Sequence, residues 1–171
     1  LHSYVWQYYD EYKALGIAVE DNIKLVNATN PNIETIRNSI VPTQLCQVKT
    51  NTSYSPDFGV FEIGRVVGGV KDDGLCNEAK KLAITLFSKT KSVEKLYFEL
   101  RDIIATLTDD IKHRELSYQT LDAVHSYEHP RNLNAILCDG RELGKIGIVH
   151  PVVSKKIDKK AAIVFAELDI K

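Results

Sequence analysis

The sequence predicts an α+β domain in which an antiparallel sheet is flanked by helices. Three observations predict it. Segments rich in β-branched and aromatic residues recur between turn residues, the clearest being 58–67 and 163–168. One long stretch, 92–107, repeats apolar residues at helical spacing. Strands outnumber helices, and the two do not alternate strictly as a βαβ chain demands.

In chain order, Tyr8, Tyr9, Tyr12 and Leu15 lie on one helical face, with Gly16 where a helix ends in the left-handed region. Ile23 to Asn27 reads as a short strand closed by turn residues around Asn30-Pro31. Pro42 marks a first helical position, and Leu45, Cys46 and Val48 follow on its inward face. After turn chemistry at 51–56, the strand at 58–67 places Phe61, Ile63 and Arg65 on one face and Val60, Glu62 and Val66 on the other. Gly68-Gly69 and Asp72-Asp73-Gly74 interrupt it. The segment 82–87 fits helix or strand by pattern alone, and its shortness and β-branched residues argue for strand.

Ser92 is the N-cap of the helix that follows. Val93, Leu96, Tyr97, Leu100, Ile103, Ile104 and Leu107 form its apolar stripe, and Glu94, Lys95, Glu99 and Arg101 its wet face. A strand is expected at 116–121. Two strands at 134–138 and 144–149 flank Asp139-Gly140, which favours the positive φ angles of a type I′ hairpin. Pro151 opens a short helix through Lys156, and 163–168 is the last strand. No internal repeat or linker divides residues 1–171, which read as a single domain.

Composition narrows the function. A hydrophobic fraction of 44% and a net charge of −1 fit a soluble domain and argue against a free-standing nucleic-acid binder. No apolar run approaches the roughly 20 residues of a membrane span. The start carries no signal-peptide pattern, and the absence of Met points to a fragment of a longer chain. Cys46, Cys76 and Cys138 are widely spaced with no CxxC, which argues against zinc and for reduced, structural thiols in the cytosol.

Candidate sites are sparse. Gly64, Gly68 and Gly69 follow a strand but match no phosphate-loop pattern, so a turn is the simpler reading. Lys155, Lys156, Lys159 and Lys160 form a basic cluster whose commoner explanation is a solvated surface. His125, His129 and His150 fit turns better than a metal site. Glu62 and Glu167 are candidates for paired carboxylates, or, with Arg37 and Arg65, for an ion-pair network. Trp6 and the tyrosines around Tyr8 serve equally as core or contact surface.

The order of Ile36-Arg37-Asn38-Ser39-Ile40-Val41-Pro42, Phe61-Glu62-Ile63-Gly64-Arg65-Val66, Leu143-Gly144-Lys145-Ile146-Gly147, His150-Pro151 and Val164-Phe165-Ala166-Glu167-Leu168-Asp169 resembles the bacterial phenylalanyl-tRNA synthetase β-chain family over nearly the whole chain. Tyr97 to Asp102 is similar to that family's FFDLKGDVE segment, and His129-Pro130-Arg131 to its HPGR element without the Gly. Asn38 and Val67 depart from the family's Thr and terminal aromatic.

The resemblance implies a class II synthetase-like fold and the non-catalytic core of the β chain. The editing, metal-binding helical and anticodon-binding domains would lie outside these residues. It implies a cytoplasmic (αβ)2 holoenzyme in which the α subunit uses ATP and Mg²⁺ to charge tRNA(Phe), while this fragment binds no cofactor and is inactive alone. Active class II relatives hold ATP with a motif 2 arginine and a motif 3 arginine. Here no second Arg follows Arg65, and the closing strand offers Glu167 and Asp169 instead. The expected contacts with the α subunit are Trp6, Tyr8, Arg37, Pro42, Glu62 and Arg65. Two rivals stand beside this reading, an RNA-binding module using the lysine cluster and a divergent ATP-dependent ligase.

Overall fold

A computed structural model describes residues 3–19, 22–112 and 115–170. The strands are β1 (Asp57–Val70), β2 (Cys76–Ser88), β3 (Leu116–Thr120), β4 (Glu128–Cys138), β5 (Arg141–Val149) and β6 (Ala162–Asp169). They form one sheet in the order β1-β2-β6-β5-β4-β3, antiparallel at every pairing. Among the described residues the helices are α1 (Tyr9–Leu15), α2 (Val41–Asn51), α3 (Val93–Lys112) and α4 (Pro151–Ile157), with a 3-10 turn at Pro31–Ile33. The α+β expectation holds in this form.

Each face of the sheet has its own core. On one, Leu96, Leu100 and Ile104 of α3 pack on Ile84, Ile136, Ile146, Val164 and Ala166. On the other, α1, α2 and α4 bring Tyr12, Leu45, Val48 and Val153 against Phe87, Val149 and Phe165. The last strand, β6, enters between the two hairpins and is buried from Ile163 to Leu168. Its apolar run from Ile163 to Ala166, without alternation, is what covering on both faces requires.

Several local signals act as the sequence predicts. Gly16, at φ 73°, ends α1, and the Ile17 N–H donates to the Tyr12 carbonyl at 2.8 Å. Ser92 Oγ accepts from the Lys95 N–H at the start of α3. Asp139 and Gly140, at φ 51° and 74°, make the tight turn between β4 and β5.

Other elements differ from expectation. Residues 23–27 form no strand, only an isolated bridge between Lys24 and Thr35. Leu25 and Val26 stay exposed there, and the pairing with 34–36 does not extend past that bridge. Gly68-Gly69 does not end β1. The register shifts between Val67 and Val70, and Gly69, at φ 118°, lets the strand bulge and run on. Pro42 is the second residue of α2 rather than the first, and α3 continues five residues past 107, to Lys112.

Gly144 on β5 faces Leu168 of β6, and a Cβ there would lie 2.1 Å from the Glu167 carbonyl oxygen. We expect Gly144→Ala to lower stability by about 1–3 kcal/mol, since backbone in a central strand cannot give way. Gly68→Ala meets nothing closer than 3.7 Å and should stay within about 0.5 kcal/mol of the parent. Urea unfolding of the two variants measures the contrast.

Candidate functional site

Register places a polar row across the sheet face that α2 covers. Glu62 on β1 is opposite Ala83 on β2, Ala83 opposite Glu167 on β6, and Glu167 opposite Lys145 on β5. Directly opposed residues share a face, so two carboxylates and an ammonium group are carried into the same core layer. Ala83 stands between the carboxylates, and each has partners of its own.

Glu62 is paired with Arg37 at 2.8 Å, and both side chains are at most 1% exposed. Arg37 Nη1 also donates to Ser3 Oγ at 2.6 Å, Ser3 Oγ donates to Glu62 Oε2 at 2.7 Å, and Arg37 Nε donates to the Arg65 carbonyl at 3.2 Å. The guanidinium packs against β1 where Gly64 leaves room, since a Cβ at Gly64 would sit 2.5 Å from Nη2. That glycine seats an arginine, not a phosphate. The Arg37 backbone is tied as well, its N–H to the Val5 carbonyl and its carbonyl to the Val67 N–H.

Glu167 serves a helix. Ile40, the residue before α2, has no side chain able to cap it. Glu167 Oε1 accepts the Ile40 N–H at 2.7 Å and the Ser39 hydroxyl at 3.0 Å. A carboxylate thus meets the positive end of the α2 dipole from 127 residues away in sequence. Lys81 approaches its second oxygen at 3.5 Å.

Glu128 accepts the N–H groups of Val124 and His125 at 2.9 Å each and pairs with Lys145 at 2.7 Å. Gln44 donates to the Ala83 carbonyl and accepts from the Thr85 hydroxyl. The space left among Gln7, Tyr12, Arg37, Ser39, Pro42 and Tyr127 is about 10 Å³, at most room for one water. Burial pushes the Tyr12 phenol well above its usual range and the Cys46 thiol up to about 12.

Of the residues singled out in sequence, Arg37, Glu62 and Pro42 come together inside the chain. The Arg65 side chain is on the opposite face of β1, paired in solvent with Glu78 at 2.7 Å, and only the Arg65 carbonyl enters the buried network. Trp6 and Tyr8 are half-buried beside Ile36 and the tyrosine cluster. The histidines serve local geometry. His125 stacks on Tyr127, His129 accepts the Arg131 N–H, and His150 caps α4 through the Val152 N–H. No group of three metal-ligating side chains occurs among the described residues. Lys155, Lys156, Lys159 and Lys160 are all exposed.

Sequence reasoning missed Ser3, Ser39, Glu128 and Lys145. The available signal was an acid or a lysine inside an otherwise apolar strand, as at Glu167 and Lys145, which requires a partner wherever the strand is buried.

Removing one member of the buried pair leaves the other charged and uncompensated. Arg37→Met should cost about 3–5 kcal/mol, whereas Arg37→Met with Glu62→Leu should cost much less than the sum of the two single changes. A double-mutant cycle in urea reads this coupling. The thiols should also separate. Burial disfavours the Cys46 thiolate, so brief iodoacetamide treatment should label exposed Cys76 well before Cys46, as peptide mass spectrometry would detect. Equal rates would contradict the burial of Cys46.

Residues 4–170 match the family model described as the phenylalanyl tRNA synthetase beta chain CLM domain. The phenylalanine–tRNA ligase beta subunit of Protochlamydia amoebophila is 27% identical over 164 residues, covering 91% of this chain and 20% of that one. The Bacillus subtilis subunit is 28% identical, covering 94% and 21%, and the Methanopyrus kandleri subunit 29%, covering 86% and 24%. The chain spans about a fifth of the length of the curated relatives that it matches.

Proposed function

The chain belongs to the phenylalanyl-tRNA synthetase beta chain family, and from that membership we propose that it is a catalytic-like core that has given up catalysis. In this reading it has a class II synthetase-like fold and packs against the catalytic α subunit within a cytoplasmic (αβ)2 ligase. It thereby supports the charging of tRNA(Phe), which it reaches only through the holoenzyme.

The filled polar row is the observation that carries this reading. A class II site must present free guanidinium groups in an open cleft to triphosphate. The buried arginine of this face, Arg37, is already neutralised by Glu62, and Glu167 occupies the anion position at the α2 N-terminus. Space for about one water remains. ATP and Mg²⁺ do not fit these residues.

The same bonds give the scaffold its rigidity. Ser3, Arg37, Ser39 and Ile40 are tied to β1 and β6, so the segment leading into α2 is held in one shape. Trp6, Tyr8 and Arg65 remain at the surface for the α subunit, while Arg37, Pro42 and Glu62 support that surface from within.

Light scattering on a sizing column tests the partner. Mixed with the α subunit, the chain should elute in a complex heavier than either component, and a folded chain that stays separate would overturn the scaffold role. Alone, it should give no phenylalanine-dependent ATP–pyrophosphate exchange, and measurable exchange would overturn the claim that catalysis is lost.

A further inference from the structure

The far edge of the sheet carries a feature that the buried row does not explain. The Leu121 N–H donates to the Leu133 carbonyl and the Asp139 N–H to the Glu115 carbonyl. In this antiparallel register, with Leu116 opposite Cys138 and Thr120 opposite Asn134, hydrogen-bonded pairs alternate with open ones. The backbone groups of Leu116, Tyr118 and Thr120 therefore face away from β4, and β3 pairs with no other strand among the described residues. Nothing in Leu116-Ser117-Tyr118-Gln119-Thr120 protects the edge, because it has no charge, no Pro and no bulge. At the opposite edge, Arg37 and Asn22 bond to Val67 of β1.

Beside β3 runs a groove of about 590 Å³ lined by Phe98, Arg101 and Ala105 of α3 and by Leu116 and Tyr118 of β3. The Arg101 guanidinium lies 4.1 Å from the Tyr118 ring centre and 5.5 Å from that of Phe98. No carboxylate pairs with it among the described residues, and Phe98 is 56% exposed. Ile136 of β4 has no exposure at all, so α3 already roofs the sheet as far as β4. The outward-facing backbone groups of Leu116, Tyr118 and Thr120 suit an extended chain rather than a helix. Asp102 lines the groove too, and its charge disfavours a polyanion such as RNA.

We propose that the β3 edge and this groove dock an extended segment of a separate polypeptide, added as a further strand and carrying an acidic side chain that meets Arg101. Backbone bonds to Leu116, Tyr118 and Thr120 supply the pairing. The carboxylate takes the guanidinium in a charge-assisted contact, and an apolar side chain two positions along the same face covers Phe98.

A peptide of about seven residues, alternating Thr and Val around a central Glu, is the probe for such strand addition. Titrated into the 15N-labelled chain, it should shift the amides of Leu116, Tyr118 and Thr120 and slow their hydrogen exchange. Arg101→Gln, or Glu replaced by Lys in the peptide, should weaken binding about tenfold. N-methylation of the peptide amides that face β3 should abolish it with the protein left intact. The proposal is overturned if millimolar peptide leaves the β3 amides unmoved, or if binding is unchanged in Arg101→Gln. It is equally overturned if the β3 amides shift with chain concentration alone, which assigns the edge to a second copy, or if a short single-stranded RNA gives the same response.

Discussion

A guanidinium group removed from water must recover its hydrogen bonds from the protein, and much of this molecule is arranged around that requirement at Arg37. The residue is fully buried, yet Glu62, Ser3 and the Arg65 carbonyl engage its three nitrogens. Satisfying it demands a glycine at position 64, an acid two residues earlier on the same strand face, and an N-terminal segment that crosses over β1. The ion pair is weak evidence for stability in itself, because both charges were better solvated in water. Its effect is on specificity, since a misplaced β1 register would turn Glu62 to the opposite face and strand the arginine.

Glu167 imposes a second constraint from the centre of the sheet. Strand β6 is covered on both faces, and an ionised side chain there has no route to solvent. It is accommodated because α2 begins beside it with backbone donors of which Ser39 takes the Val41 N–H and Glu167 the Ile40 N–H. Helix and strand each lack something that the other supplies. The last strand of the chain is thereby locked to a helix formed early in it, with Ser39 and Tyr127 closing the contact from a third element.

Both constraints bear on function through the same electrostatics. An anion-binding site consists of oriented donors and a space, and here the donors are occupied by carboxylates of the chain itself. Internal occupants are permanently present and lose no translational freedom on binding, so an external anion has nothing to displace them with. A fold that fills such a site from within keeps its shape for contact with other surfaces, as the proposed supporting core would require. The two sheet edges divide in the same way, with β1 covered by the chain's own N-terminal region and β3 unpaired among the described residues.

The amino-acid sequence by itself determined the local elements. Gly16 ends α1, Ser92 starts α3, the apolar stripe of α3 sets its buried face, and Asp139-Gly140 makes the hairpin turn, because each depends on residues within a few positions of one another. The alternation of 58–67 likewise placed Glu62 and Arg65 on opposite faces, but which face turns inward was decided by the packing, which leaves Phe61 and Ile63 exposed beside Arg65. Only the tertiary structure decided what those inward charges meet. Sequence alone allowed Glu62 and Glu167 to face each other and Arg65 to join them. The strand order instead sets Ala83 between the carboxylates and gives Glu62 to Arg37, Glu167 to the α2 N-terminus and Lys145 to Glu128. The short strand expected at 23–27 shrank to a single bridge with Thr35 for the same reason, since the pairing with 34–36 does not extend beyond it. Periodicity reports which way a side chain points, and the partner it finds there depends on non-local pairing that no local pattern encodes.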